Sequence, residues 1–407
     1  MKMQSTAEDN REEAYRFRWA VLILLFFLQT SASLVVLSFG PLAPFLQEDL
    51  NISRTQVGMF TSAVYASQLF LGLICGWLVD RFGVRRFLLL GPGIIGLFFI
   101  ALSKTPSFGI ALILVFLGGA GYVFINPSAA KALAYWFSPR TRATAIGIMK
   151  SGVALGGAIG GAVLPVLALM LGWRSALTSA AVAVIIFGAL AVTVYRESPK
   201  SPSVEAPAFG LKELGRVVTN RSILLLGGAG AAYSAIQLSL LTYLVLFLKE
   251  VVLLPVVMAG TYLTVVGLSG IAGRILWSVI SDRVFGGRRK VVLVTIGFIT
   301  GIMALSTAFL ATASPRWLLY IMMAIFGFAA TGWTAVFITF VAELAGREQA
   351  ATGVGLGLTL VAMGIVFGPP LFGYIVDTTH SYTIAWTVFG ILAAIGGALM
   401  ILIREPS

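Results

Sequence analysis

The chain has 407 residues, of which 58% are hydrophobic and only 11% charged, and its mean hydropathy is +0.97. A soluble protein of this length has no interior large enough to hide that much apolar surface, so a polytopic, all-α membrane protein is expected. The formal net charge of +12 does not point to nucleic acid, because the basic residues are scattered over many short loops, as on the cytoplasmic side of membrane proteins. One cysteine, Cys75, lies in an apolar run and cannot form an intramolecular disulfide. One histidine, His380, lies in a polar turn, which leaves no His/Cys cluster for a metal. Neither a metal nor a cofactor is expected.

Residues 1–18 form a mixed-charge tail, and Trp19 to Leu46 is the first apolar tract. Its start, followed by Gln29-Thr30-Ser31-Ala32-Ser33, has the look of a signal peptide with a small-residue cleavage site, but the apolar run continues to Leu46, so a retained span is expected. Further tracts lie at about 57–79, 87–103, 108–136, 143–170 and 174–195, each long enough to cross a hydrocarbon core of about 30 Å as a helix. Residues 196–221, beginning RESPKSPSVEAPAF, have the composition of a flexible cytoplasmic linker. The second half offers tracts at about 222–248, 256–281, 291–314, 317–343, 351–376 and 383–403. Twelve spans result, six in an N-terminal bundle (19–195) and six in a C-terminal bundle (222–403), with a short tail at 404–407.

An even number of spans puts both termini on one side. Of the 28 basic residues, 20 fall on the tail side and only Arg54, Lys104, Arg174, Lys249 and Arg316 on the other. That asymmetry predicts cytoplasmic termini and a multi-pass protein of the plasma membrane, the inner membrane in a bacterium.

The two halves repeat. GWLVDRFGVRR (Gly76 to Arg86) follows the second span and SVISDRVFGGRRK (Ser278 to Lys290) the eighth, with Asp80-Arg81 and Asp282-Arg283 in matching places. Gly152, Gly156 and Gly160 of span five are echoed by Gly364, Gly368 and Gly373 of span eleven. Two pseudo-symmetric six-helix bundles are the natural reading. The first motif resembles the loop signature of the major facilitator superfamily, and with the second copy, the twelve spans and the linker the resemblance covers the whole chain. Gly76, Asp80, Arg81, Gly83, Arg85 and Arg86 carry it in the first half, with Arg140 and Arg142 as partners. Asp282, Arg283, Glu343 and Arg347 form the counterpart. The resemblance implies a cytoplasmic latch of the outward-open state, with tight glycine turns and carboxylates that pair with cations or cap helices.

Three basic residues are left inside the membrane: Lys131 in span four, Lys150 in span five and Arg274 in span eight. All sixteen acids sit in tails, loops or helix ends. A buried cation costs several kcal/mol unless something anionic or polar meets it, and no internal ion pair is available, so a bound anion is the expected partner. Lys131 precedes the interfacial cluster Tyr135, Trp136 and Phe137 and has snorkelling to the surface as its plainer role. Lys150 lies about 12 Å along its helix from Arg142, too deep for that. Arg274 offers a planar fork suited to a carboxylate, and its plainer role is to bond backbone carbonyls at the seam between bundles.

The stretch GRILWSVISDRVFGG resembles the eighth helix of monocarboxylate transporters and oxalate–formate type exchangers. Arg274 and Asp282 keep the spacing at which those families place an arginine that binds the substrate carboxylate. Where animal monocarboxylate transporters carry an acid one turn earlier, this chain has Gly270. Span eleven lacks the lysine of the oxalate exchangers.

In this superfamily spans one, four, seven and ten line the central cavity. Gln29, Tyr122, Asn126, Tyr233, Gln237 and Trp333 on those spans are therefore expected to complete the site, although each alone serves equally well as packing glue. A secondary transporter of a small organic anion, most of all a monocarboxylate, is expected. It would work as a monomer by alternating access, with a proton carried by Lys150 or Lys131, or else by exchange of one anion for another. The absence of an intramembrane acid argues against a cationic-drug exporter, and no acid–base pair or activated nucleophile supports an enzyme.

Overall fold

A computed structural model describes residues 2–195, 219–346, 349–403 and 405. The linker expected at 196–221 lies outside them up to residue 218, and so does Arg347. The described residues are helices joined by short connections: Lys2–Val36 and Phe39–Leu50 (span one, from Phe17 on), Arg54–Phe82 (two), Val84–Leu102 (three), Phe108–Trp136 (four), Pro139–Leu171 (five) and Trp173–Val194 (six). The second half runs Arg221–Glu250 (seven), Val256–Arg283 (eight), Arg289–Thr307 (nine), Arg316–Ala330 and Thr334–Ala345 (ten), Ala350–Thr379 (eleven) and Tyr382–Ile401 (twelve). Among the described residues, eleven of these twelve runs meet both length and apolarity for a membrane span, and span two completes the set by its place in the bundle.

Three departures from the hydropathy reading have local causes. Span one breaks at Leu37-Ser38, next to Gly40-Pro41, where the proline has no N–H to continue the ladder. Span ten breaks between Ala330 and Thr334, at Thr331-Gly332-Trp333. Span nine ends at Thr307 rather than near 314, because residues 308 to 315 close in turns ahead of Pro315.

The repeat read in the sequence recurs in the packing. Spans one and five, one and six, two and four, three and four, and three and six pack together in the first half. Seven and eleven, seven and twelve, eight and ten, nine and ten, and nine and twelve pack together in the second. The glycine echo has a physical purpose. A methyl group on Gly156 would lie 2.4 Å from the Thr30 carbonyl oxygen of span one, and one on Gly364 would lie 2.0 Å from the Ala231 carbonyl oxygen of span seven. Small residues at these points let neighbouring backbones touch. Gly83 (φ 88°) joins spans two and three as a single connecting residue, and Gly286 and Gly287 (φ 58° and 87°) turn the chain at the second copy of the motif.

The halves meet through spans two and eleven, five and eight, and one and seven. Gly161 and Gly260 bring spans five and eight into backbone contact: a methyl group on Gly260 would lie 2.2 Å from the Gly161 carbonyl oxygen. Gly260→Val is expected to weaken this closure by about 1–3 kcal/mol through overpacking. Faster labelling by a polar thiol reagent of a cysteine placed beside the seam, in a Cys75→Ser background, is the readout; labelling at the unmodified rate would contradict it.

Candidate functional site

Spans five and eight run in opposite directions past one another, and each carries one of the two deep cations near its middle. Lys150 is about 16 Å from the start of its helix and Arg274 about 14 Å from the end of its own, both measured from the tail side at the standard rise. The lysine Nζ donates to Asn126 Oδ1 at 2.5 Å. Arg274 Nε donates to the Thr331 carbonyl at 3.2 Å, at the break in span ten, and its Nη1 donates to the Lys150 carbonyl at 3.3 Å, across the seam. The expected plainer role of Arg274 is therefore real in this state. Its Nη2 has no hydrogen-bond partner among the described residues and is not sealed from solvent.

The two cations are within electrostatic range of each other, and among the described residues no carboxylate contributes to the surroundings of either. The polar groups nearby are phenols and amides. Tyr122 and Tyr65 lie close enough to Arg274 to interact with it electrostatically, and with each other. Tyr65, in span two, was not read from the sequence, because span two is not one of the four expected cavity helices.

Close packing fixes where the guanidinium sits. A methyl group on Gly270 would lie 1.8 Å from Thr331 Oγ1, and one on Gly273 would lie 2.2 Å from the Phe328 carbonyl oxygen. Spans eight and ten therefore touch along this glycine face, which sets Arg274 beside the break. A side chain at position 270 would first have to displace the Thr331 hydroxyl.

The other sequence-predicted residues separate into groups. Asn126 faces Lys150 directly. Gln29 is fully enclosed and donates to Tyr122 Oη at 3.1 Å and Ser33 Oγ at 3.4 Å, so it props Tyr122 from behind. Trp333 is also enclosed, and its indole N–H reaches Gln237 Oε1 at 2.9 Å. Lys131 is half-buried nearer the tail-side end of span four. Tyr233 does not join the site. Its ring enters a slot that Gly297 and Gly396 leave open, and its hydroxyl donates to the Leu293 carbonyl of span nine at 2.8 Å, since a phenol 1% exposed needs a partner.

On the tail side, Asp282 accepts from Arg289, and Arg289 also reaches Glu343 at 3.4 Å. The expected partnership of Glu343 is thus with Arg289, while Arg347 lies outside the described residues. Arg142 donates to the Ala134 carbonyl at 3.0 Å, and Arg81, Arg85, Arg86 and Arg283 are exposed. Gly76 has open space around it. The side chains of Asp80 and Arg140 also lie outside the described set. Among the described residues no hydrogen bond or ion pair joins the halves on the tail side of Lys150 and Arg274.

The far side is different. Arg54, first residue of span two, reaches Glu250 at 2.7 Å and Asp377 at 3.5 Å, and its Nε donates to Tyr382 Oη at 3.1 Å. Asp377 also accepts from the backbone N–H groups of Arg54 and Thr55 and from the Thr55 hydroxyl, at 3.1, 2.8 and 2.6 Å. A carboxylate of the second half thus caps a helix of the first, satisfying N–H groups that a helix start leaves unpaired. Tyr243 adds a bond to the Arg54 carbonyl at 2.7 Å. Among the described residues, hydrogen bonds and ion pairs tie the halves together on the far side.

Comparison with known proteins agrees with this architecture. The "Hexuronate transporter" of Bacillus subtilis is 26% identical over 379 residues, covering 89% of each chain. The "Probable L-galactonate transporter" of Escherichia coli is 27% identical and covers 96% of this chain and 90% of that one. The "Probable sulfoacetate transporter" of Cupriavidus necator is 25% identical over 94% of this chain and 92% of its own. Among solved structures, a bacterial homologue of the human lysosomal transporter Spinster superposes with a TM-score of 0.80 at 18% identity, over 95% of this chain and 96% of that one. The nucleoside transporter NupG superposes with a TM-score of 0.79 at 13% identity, over 95% of this chain and 100% of that one. The family model of the Major Facilitator Superfamily matches residues 21–360 and 287–407. With two packed six-helix halves and a family match spanning nearly its whole length, the chain is a membrane transport protein of the Major Facilitator Superfamily.

Proposed function

We propose that this protein carries a small organic anion, a monocarboxylate first of all, across the plasma membrane by alternating access, with its termini in the cytoplasm. The observation that carries the reading is the meeting of Lys150 from one half and Arg274 from the other, near mid-membrane, with no carboxylate near either among the described residues. An anion supplies the missing charge and ties the two halves together through one ligand. Relatives named for hexuronate, galactonate and sulfoacetate support the same sign of substrate. The site is drawn from one chain, so a monomer suffices.

In this reading Lys150 also carries the coupling proton. It gives the proton up on the tail side after the anion leaves and recovers one with the next anion, while Arg274 stays charged throughout. The test is uptake of a labelled carboxylate into liposomes containing the purified protein, with an inward proton gradient and no internal anion. Saturable uptake whose pH dependence changes in Lys150→Gln or Lys131→Gln is expected. Flux that appears only after a counter-anion is preloaded, with unchanged pH dependence in both variants, means anion exchange instead.

A further inference from the structure

Gln237 stands near the middle of span seven, the most enclosed of the apolar helices among the described residues. It is one of the few residues of that helix left half-open. Its Oε1 accepts the indole N–H of Trp333, and Trp333 has no freedom to do otherwise. The indole sits edge-on to Tyr233 and Phe337 at 5.7 and 5.2 Å, and Tyr233 is anchored to the Leu293 carbonyl. An indole N–H can only donate, so it fixes the carbonyl end of the Gln237 amide toward itself and turns the NH2 group away. That NH2 group has no partner among the described residues and is not sealed from solvent. Span seven packs against span one of the first half as well as against spans eight, eleven and twelve of its own.

Asn126 in the other half repeats the arrangement. An ammonium group also only donates, so the bond from Lys150 takes the carbonyl end of the Asn126 amide and leaves its NH2 group free as a donor. Two amides, one per half, are thus oriented by a donor, the indole N–H in one case and the protonated Lys150 ammonium in the other. Asn126 touches Lys150, and Trp333 stands two residues beyond Thr331, whose carbonyl holds Arg274, so each amide is tied to one of the two cations and adds a donor beyond what one carboxylate needs.

We infer that Gln237, oriented by Trp333, is a specificity-determining residue that donates to a hydroxyl oxygen of the substrate, and that the substrate class is a hydroxylated carboxylate of the sugar-acid type rather than an alkyl acid. This rests on the anion site formed by Arg274 and Lys150. A bare alkyl chain would leave both amides unpaired in a partly dry site, and sites built to hydrogen-bond a substrate hydroxyl reject analogues that lack it.

The test compares gluconate with hexanoate, two six-carbon monocarboxylates with and without hydroxyls, titrated against the purified full-length protein. The unmodified protein is expected to bind gluconate at least about 10-fold more tightly. Gln237→Leu is expected to cut that preference by about 10-fold. Trp333→Phe, which keeps a ring but removes the indole N–H, is expected to cut it by a smaller factor because the amide is freed to turn. A merely structural role for either residue would weaken both acids alike and leave the ratio unmoved. Binding of both acids with the same ratio in either folded variant, or a preference of the unmodified protein for hexanoate, overturns the inference and leaves the anion site standing. Binding of neither acid overturns the anion site, and the inference with it.

Discussion

Arg274→Ala is expected to lower saturable uptake of an organic acid by about 100-fold or more, and Arg274→Lys to recover only a small part of it. A bidentate guanidinium bond to a carboxylate is worth roughly 1.5–3 kcal/mol as a charged hydrogen bond, and a lysine at the same place supplies a point charge without the fork. There is a second loss. In the state seen here Arg274 also joins the break in span ten to the backbone of span five, through the Thr331 and Lys150 carbonyls. Removing the side chain takes away both a ligand contact and a link between the halves, so maximal rate as well as half-saturation should suffer. Uptake that retains more than about a tenth of the unmodified rate in Arg274→Ala would show that the guanidinium is only seam packing.

The second large effect is expected at the far-side lock. Asp377→Ala leaves the backbone N–H groups of Arg54 and Thr55 and the Thr55 hydroxyl without their acceptor, and removes one of the two carboxylates facing the Arg54 guanidinium. Loss of a helix cap costs about 1 kcal/mol and loss of a charged hydrogen bond somewhat more, so a shift of about 2 kcal/mol toward the far-side-open state is reasonable. That corresponds to roughly 30-fold in population. Arg54→Ala should act in the same direction, since Glu250 loses its cation and Tyr382 loses a donor, although the two still bond to each other. Spin labels on the far-side ends of spans two and eleven would report it as growth of a longer-distance population. An unchanged distance distribution in both variants would mean that the glycine contacts hold the halves together without the ion network.

Much of the architecture is legible from residues alone, for reasons that can be named. Charge-free tracts and the repeated Asp-Arg turn report directly on helix number and on the two-fold repeat, because each is written in contiguous sequence. The breaks in spans one and ten are not, since Gly-Pro and Thr-Gly-Trp inside an apolar tract leave hydropathy nearly unchanged. The far-side lock is hidden for another reason. Arg54, Glu250 and the neighbouring pair Asp377 and Tyr382 come from three distant parts of the chain, and each alone looks like an ordinary helix end.

Depth along a helix singles out Lys150 and Arg274 as candidates, because an uncompensated cation in an apolar tract is costly wherever the helix turns it. Which way a polar side chain points was less accessible. Tyr233 and Gln237 are one turn apart, yet the tyrosine is long enough to reach a carbonyl of span nine through the glycine slot, while the glutamine stays with Trp333. Tyr65 carries no signal of its own, being one tyrosine in an apolar helix.

The central claim is that one anion is held jointly by Lys150 of the first half and Arg274 of the second, and a double-substitution cycle on binding tests it most directly. Affinity for gluconate would be measured in the unmodified protein, Lys150→Met, Arg274→Met and the double variant. Groups that share a ligand are coupled, so each single loss should be large, and the double variant should lose less than the two losses combined, by about 1–3 kcal/mol. Two losses that simply add within about 0.5 kcal/mol, or an affinity that survives both substitutions, would show that no single anion bridges the two halves at this site.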